Sequence, residues 1–70
     1  MEIAPYITAD PSIHHSAAVI AGTRVPVSII IGSLAGGMSK EEVIREYELT
    51  KEQVEAALTF AADLVVGYSN

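Results

Sequence analysis

The sequence predicts a mainly α domain of three helices, the last two forming a helix-turn-helix, preceded by a short N-terminal β arm or hairpin. Three observations carry this reading. Apolar residues recur at helical spacing from Val27 onward. Two complete helix-start signals stand at Ser39 and Thr50, with only Glu48, Leu49 and Thr50 between the helices they imply. Before Val27 the apolar residues fall in short, β-branched runs broken by Gly and Pro.

The arm is expected over 1–25 and the helical core over 26–70, as one domain. In the arm, Tyr6-Ile7-Thr8 reads as a short strand and Asp10-Pro11 as a turn after it. Residues 18–27 read as a second strand or hairpin arm, bent at Gly22. Val27, Ile30, Ile31 and Leu34 then sit at i, i+3, i+4 and i+7, one face of a helix over 27–35. A strand over 27–31 is the competing reading, because β-branched residues dominate there. Pro26 suits the first helical position, and Gly36-Gly37 suits the end.

Ser39-Lys40-Glu41-Glu42 is a capping box that starts a helix over 40–47, with Met38 and Val43 placed to staple it. Thr50-Lys51-Glu52-Gln53 repeats the device for a helix over 51–66, with Leu49 and Val54 as the staple. The inward face of the second helix is expected to be Val54, Ala57, Leu58, Ala61 and Val65. A second apolar stripe on it, Phe60, Leu64 and Tyr68, has no partner within the expected core, and Ile29 points away from the main face of its own helix.

That surplus apolar surface bears on assembly. A chain of 70 residues buries only about 60% of its unfolded surface. Half of this one is apolar, but alanine supplies ten of those residues and tryptophan none. Such a chain is expected to gain stability from a second copy or another protein, so a homodimer is expected, with Ile29, Phe60 and Leu64 at an interface. There is no cysteine, hence no disulfide and no thiolate nucleophile or zinc ligand.

Charge narrows the function classes. Four basic residues against nine acidic give a net charge of −5. A protein that holds nucleic acid chiefly through general attraction to phosphates is excluded, as is one that rests on an anionic membrane. The uncharged stretch over 25–38 holds a proline and three glycines and is too short to span a bilayer. The opening residues, with Glu2 and Pro5 and no basic start, do not read as a secretory leader, so a cytoplasmic location is expected.

A helix-turn-helix leaves two readings open, nucleic-acid binding and a plain interaction module. In the first, Gln53 could pair with adenine, while Lys51, Lys40 and Ser39 meet phosphate and Thr50 opens the recognition helix. In the second, Ser39, Thr50 and Gln53 are helix caps, and Glu52 and Glu55 repel a phosphate backbone. Arg24 either reaches DNA from the arm or pairs with a helix carboxylate such as Glu42 or Glu46; the excess of acids favours pairing. His14 and His15, with Asp10 the nearest acid, make a poor ligand set, so neither a metal nor a cofactor is expected. No glycine-framed nucleophile, phosphate loop or carboxylate pair points to an enzyme.

The strings Ile7-Thr8-Ala9-Asp10-Pro11, Gly22-Thr23-Arg24-Val25-Pro26-Val27 and Leu34-Ala35-Gly36-Gly37-Met38-Ser39, followed by Glu41-Glu42-Val43-Ile44, Tyr47, Leu49-Thr50 and Ala56-Ala57-Leu58, resemble the domain of unknown function 433 family. The resemblance covers about residues 6 to 64. It implies a homeodomain-like helix-turn-helix with an N-terminal β arm. It also implies an antitoxin role, as the partner of a PIN-like ribonuclease toxin in the manner of VapB-type antitoxins. The expected function is therefore the antitoxin of a type II pair, binding operator DNA and neutralising a PIN-like nuclease. The competing reading is an interaction module of the same fold without DNA binding. The nuclease path should be basic, so an acidic partner suits it, and the tail from Asp63 could insert with Leu64, Val66 and Tyr68 as anchors.

Overall fold

A computed structural model describes residues 1–9 and 18–69, with side chains through Val66. Asp10-Pro11, His14 and His15 lie outside the described residues, as does the side chain of Tyr68.

The N-terminal part is a three-stranded antiparallel sheet, β1 (Glu2–Ala4), β2 (Ile7–Ala9) and β3 (Ala18–Ile20), in the order β1-β2-β3. β1 was not expected. It is a short, exposed edge strand with no alternating pattern to betray it. The terminal amine of Met1 donates to the Ala9 carbonyl, and the Ala9 amide donates to the Met1 carbonyl. Between β1 and β2, Pro5 and Tyr6 make a two-residue turn, with Tyr6 in the left-handed region at φ 65°. Proline followed by a positive-φ residue is the order of a type II turn, in which glycine is the usual third residue.

The β2–β3 register pairs Ile7 with Ile20, so both side chains leave the same face, and both are fully buried. The sheet thus belongs to the helical core and is more than an arm.

Of the two readings of 18–27, the continuous strand is corrected and the hairpin bent at Gly22 holds. The strand ends at Ile20, and the chain reverses. Gly22 takes φ 79°, which only glycine adopts without cost. The Thr23 amide and hydroxyl both donate to the Ile20 carbonyl, and the hydroxyl accepts from the Val25 amide. The Ile20 amide then donates to the Val25 carbonyl, and Pro26 bridges back to Val19. The Gly-Thr-Arg-Val-Pro string is a turn that delivers the chain to the first helix.

The helices are α1 (Val27–Ala35), α2 (Lys40–Tyr47) and α3 (Lys51–Ser69). The helical reading of 27–35 holds over the strand alternative. Pro26 is the extended residue just before α1 rather than its first helical residue. α1 ends in a Schellman motif: Met38 donates to the Ser33 carbonyl and Gly37 to that of Leu34, with Gly37 at φ 109°. α2 ends in the same six-to-one bond, Leu49 to Ile44, but the left-handed residue is Glu48 at φ 55°. Both caps turn the chain sharply, which is why helices so short can pack on one another.

The core is Ile7, Ile20, Val27, Ile30, Val43, Leu49, Val54 and Ala57. All three helices and two strands contribute. The staple residues Val43, Leu49 and Val54 are buried, and Met38 packs on them. Tyr47 and Ser33 share a hydrogen bond of 3.1 Å that ties α2 to α1. Val65 is corrected: it was expected inward and is 64% exposed. α3 is 19 residues long, roughly 28 Å at helical rise, and outlasts the core that its first half covers. Among the described residues no helix is long and apolar enough to cross a membrane.

Candidate functional site

The N-terminus of α3 is held by its own side chains. The Thr50 hydroxyl accepts from the Gln53 amide at 3.1 Å, and the Gln53 side-chain oxygen accepts from the Thr50 amide at 2.8 Å. Ser39 and Glu42 make the same reciprocal pair at α2, at 3.1 and 2.9 Å. The amide of Ser39, then its hydroxyl, then the charge of Arg45 hold the Glu42 carboxyl below its ordinary range. Three of the six residues read as DNA contacts, Ser39, Thr50 and Gln53, therefore have structural duties in this state.

A fourth, Lys40, donates to Glu55 at 2.8 Å and pins α2 to α3. That hydrogen bond and charge lower the Glu55 carboxyl. Arg24 and Lys51 differ. Both are exposed, and among the described residues neither is in an ion pair, so Arg24 does not tie the sheet to Glu42 or Glu46. With Arg45 on α2, three exposed cations stand outside any ion pair among the described residues, and Lys51 shares its helix with Glu52 and the paired Glu55.

Beside this end runs a cleft of about 420 Å³ between the β1–β2 turn and α3. Ala4, Pro5 and Tyr6 line it from the sheet side; Ala56, Thr59 and Phe60 line it from α3. Lys51, Glu52, Glu55 and Asp63 stand along it. Tyr6 is half-exposed there. Sequence reasoning missed this wall, because nothing local places Tyr6 against a helix that begins at Lys51. The Pro5-Tyr6 pair between two short apolar runs was the one available sign of a turn.

Further along α3 the surface becomes apolar. Leu64 is 50% and Val66 59% exposed, and Ile29 on α1 is 44% exposed. Phe60 is half-buried and packs on the core, so of the expected interface residues it serves folding as well. Leu64 and Phe60 also border a second apolar cleft with Val27 and Ile31. Among the described residues no three His, Asp or Glu side chains gather as metal ligands.

These features define a class: a small, mainly α domain with a three-stranded sheet, whose surface offers clefts and apolar patches. The chain belongs to the family described as protein of unknown function (DUF433), whose pattern matches residues 7–61. No curated protein and no solved structure matches it. The matched span holds every core residue. The Ala4–Tyr6 wall, Asp63 and the exposed Leu64 and Val66 lie outside it.

Proposed function

We propose that this chain is the antitoxin of a type II toxin–antitoxin pair: a cytoplasmic, non-enzymatic, homodimeric module that neutralises a PIN-like ribonuclease by direct protein contact. The observation that carries the reading is the apolar end of α3. Leu64 and Val66 are half or more exposed on a helix that outlasts its own core. Large apolar side chains held on a rigid helix are the anchors that protein interfaces use. The net charge of −5 adds attraction to a basic RNA path.

Operator DNA is the second reading. What favours it is the α2–α3 pair, read as a homeodomain-like helix-turn-helix, with Arg24 and Lys51 exposed and outside any ion pair among the described residues. With only these and Arg45 as exposed, unpaired cations among the described residues, DNA binding should be weak for the protein alone and fall steeply with salt. Arg24→Ala and Lys51→Ala should each weaken it.

The test begins with the adjacent open reading frames, one of which should encode a PIN-like protein. Co-expressed, the two should purify as one complex, and Leu64→Glu should release the nuclease while the circular dichroism of the helices persists. A folded Leu64→Glu, Val66→Glu double variant that still holds the nuclease would refute the apolar end of α3 as the contact.

A further inference from the structure

The cleft between the β1–β2 turn and α3 combines three properties that the fold itself does not need. Its lining carries two aromatic residues, Tyr6 and Phe60, with the small residue Ala56. Its lining is acidic: Glu52 and Asp63 are exposed and in no ion pair among the described residues, while Glu55 is paired with Lys40. Among the described residues, Lys51 is the single cation lining it. Finally, Tyr6 is held at φ 65°, a conformation costly for a bulky residue, where glycine or asparagine would serve the turn better. The turn keeps an aromatic side chain at the mouth of the cleft in spite of that strain.

The geometry points to this cleft as the docking site for a short cationic segment of a partner protein, one that lays an apolar side chain between Tyr6 and Phe60 and sets Arg or Lys against Glu52 and Asp63. Charge selects the occupant. The two unpaired carboxylates, Glu52 and Asp63, against the Lys51 ammonium leave the cleft net negative, which disfavours phosphate and attracts a guanidinium or ammonium. Tyr6 and Phe60 line the same cleft, and arginine favours aromatic neighbours. A cleft of about 420 Å³ takes two or three side chains and is far too small for a duplex. The inference rests on the chain being a protein-binding module, and not on the partner being a nuclease.

The position of the cleft suggests its use. Ala4, Pro5, Tyr6 and Asp63 lie outside the span shared with the family, whereas Lys51, Glu52, Glu55, Ala56, Thr59 and Phe60 on α3 lie within it. A cleft walled by residues beyond the common fold is suited to choosing one partner among similar ones, because its wall can change without touching the core.

The experiment uses the full chain, labelled with nitrogen-15, and the blocked tetrapeptide Arg-Leu-Phe-Arg as probe. Amide shifts are expected to centre on Tyr6, Glu52, Ala56, Thr59, Phe60 and Asp63. The affinity should fall about two- to fivefold for each of Glu52→Gln and Asp63→Asn, as for one exposed charge pair. Raising the salt concentration should also weaken it. Tyr6→Gly is the decisive variant. It relieves the left-handed strain, so its thermal midpoint should stay level or rise, yet it should bind the peptide at least fivefold more weakly. The peptide Glu-Leu-Phe-Glu should leave the spectrum unchanged.

Equal binding of the acidic peptide, shifts scattered over the surface, or full affinity in Tyr6→Gly would overturn the proposal. So would a DNA duplex that moves the same amides more strongly than the peptide does. Failure here with nuclease capture intact would remove the cleft alone. Peptide binding without nuclease capture would leave the cleft standing and remove the antitoxin reading.

Discussion

Replacing Thr50 by alanine removes one side-chain oxygen and tests whether this residue is a cap or a DNA contact. The hydroxyl satisfies the Gln53 amide, one of the donors left open at the start of every helix. The bond is exposed, so water can take over part of its role, and the loss should be about 1 kcal/mol, within the usual 0.5–2 for such caps. The effect is global because α3 packs on α1, α2 and β2 and carries Val54 and Ala57 into the core. A domain of this size has a total stability of roughly 3.5–10 kcal/mol, so about a tenth to a quarter of it is at stake. The expected fall in midpoint is about 4–8 °C by circular dichroism. Thr50→Ser keeps the hydroxyl and should recover nearly all of it. If Thr50→Ala melts like the parent, the cap has no energetic role in this protein. If it melts like the parent and loses DNA affinity, the residue belongs to a DNA surface and the structural assignment fails.

Other outcomes follow from the same geometry. Glu48→Gly should stabilise the domain by about 1 kcal/mol, because the end of α2 places a residue with a Cβ in the left-handed region; a loss in chemical denaturation would show that Glu48 makes a contact of its own. Tyr47→Phe should cost about 0.5–1.5 kcal/mol by breaking the bond to Ser33, and Ser33→Ala should cost no more when added to it. Glu42 and Glu55 have carboxyls lowered in the folded state, so their contribution is fully present above the ordinary range near 4.5 and is lost as pH falls through the folded values. Urea midpoints should therefore decline only below about pH 5, and Lys40→Met should reduce that decline by removing the partner of Glu55.

Where the chain carries its own start and stop signals, reading it forward works. The bounds of α1 and α2 follow from Pro26, Gly37 and the Ser39 box, because caps are local chemistry written within a few residues. α3 has a local start at Thr50 but no local stop, and it runs past the expected end at 66 to Ser69. Val65 was misplaced for a related reason. Helical periodicity says which residues share a stripe, but not how far along the helix a core continues. β1 escaped notice because three residues, two of them exposed, carry no pattern. The cleft at Tyr6 was invisible for a different reason. It is made by two segments more than 40 residues apart in sequence, and the packing of β2 on α3 brings them together.

The measurement that bears most directly on the proposed function is RNA cleavage by the purified PIN-like protein encoded beside this chain, with this chain titrated in. Cleavage should stop at one chain per nuclease, and the Leu64→Glu variant should need a large excess to do the same. Undiminished cleavage at a tenfold excess of folded protein would contradict the account.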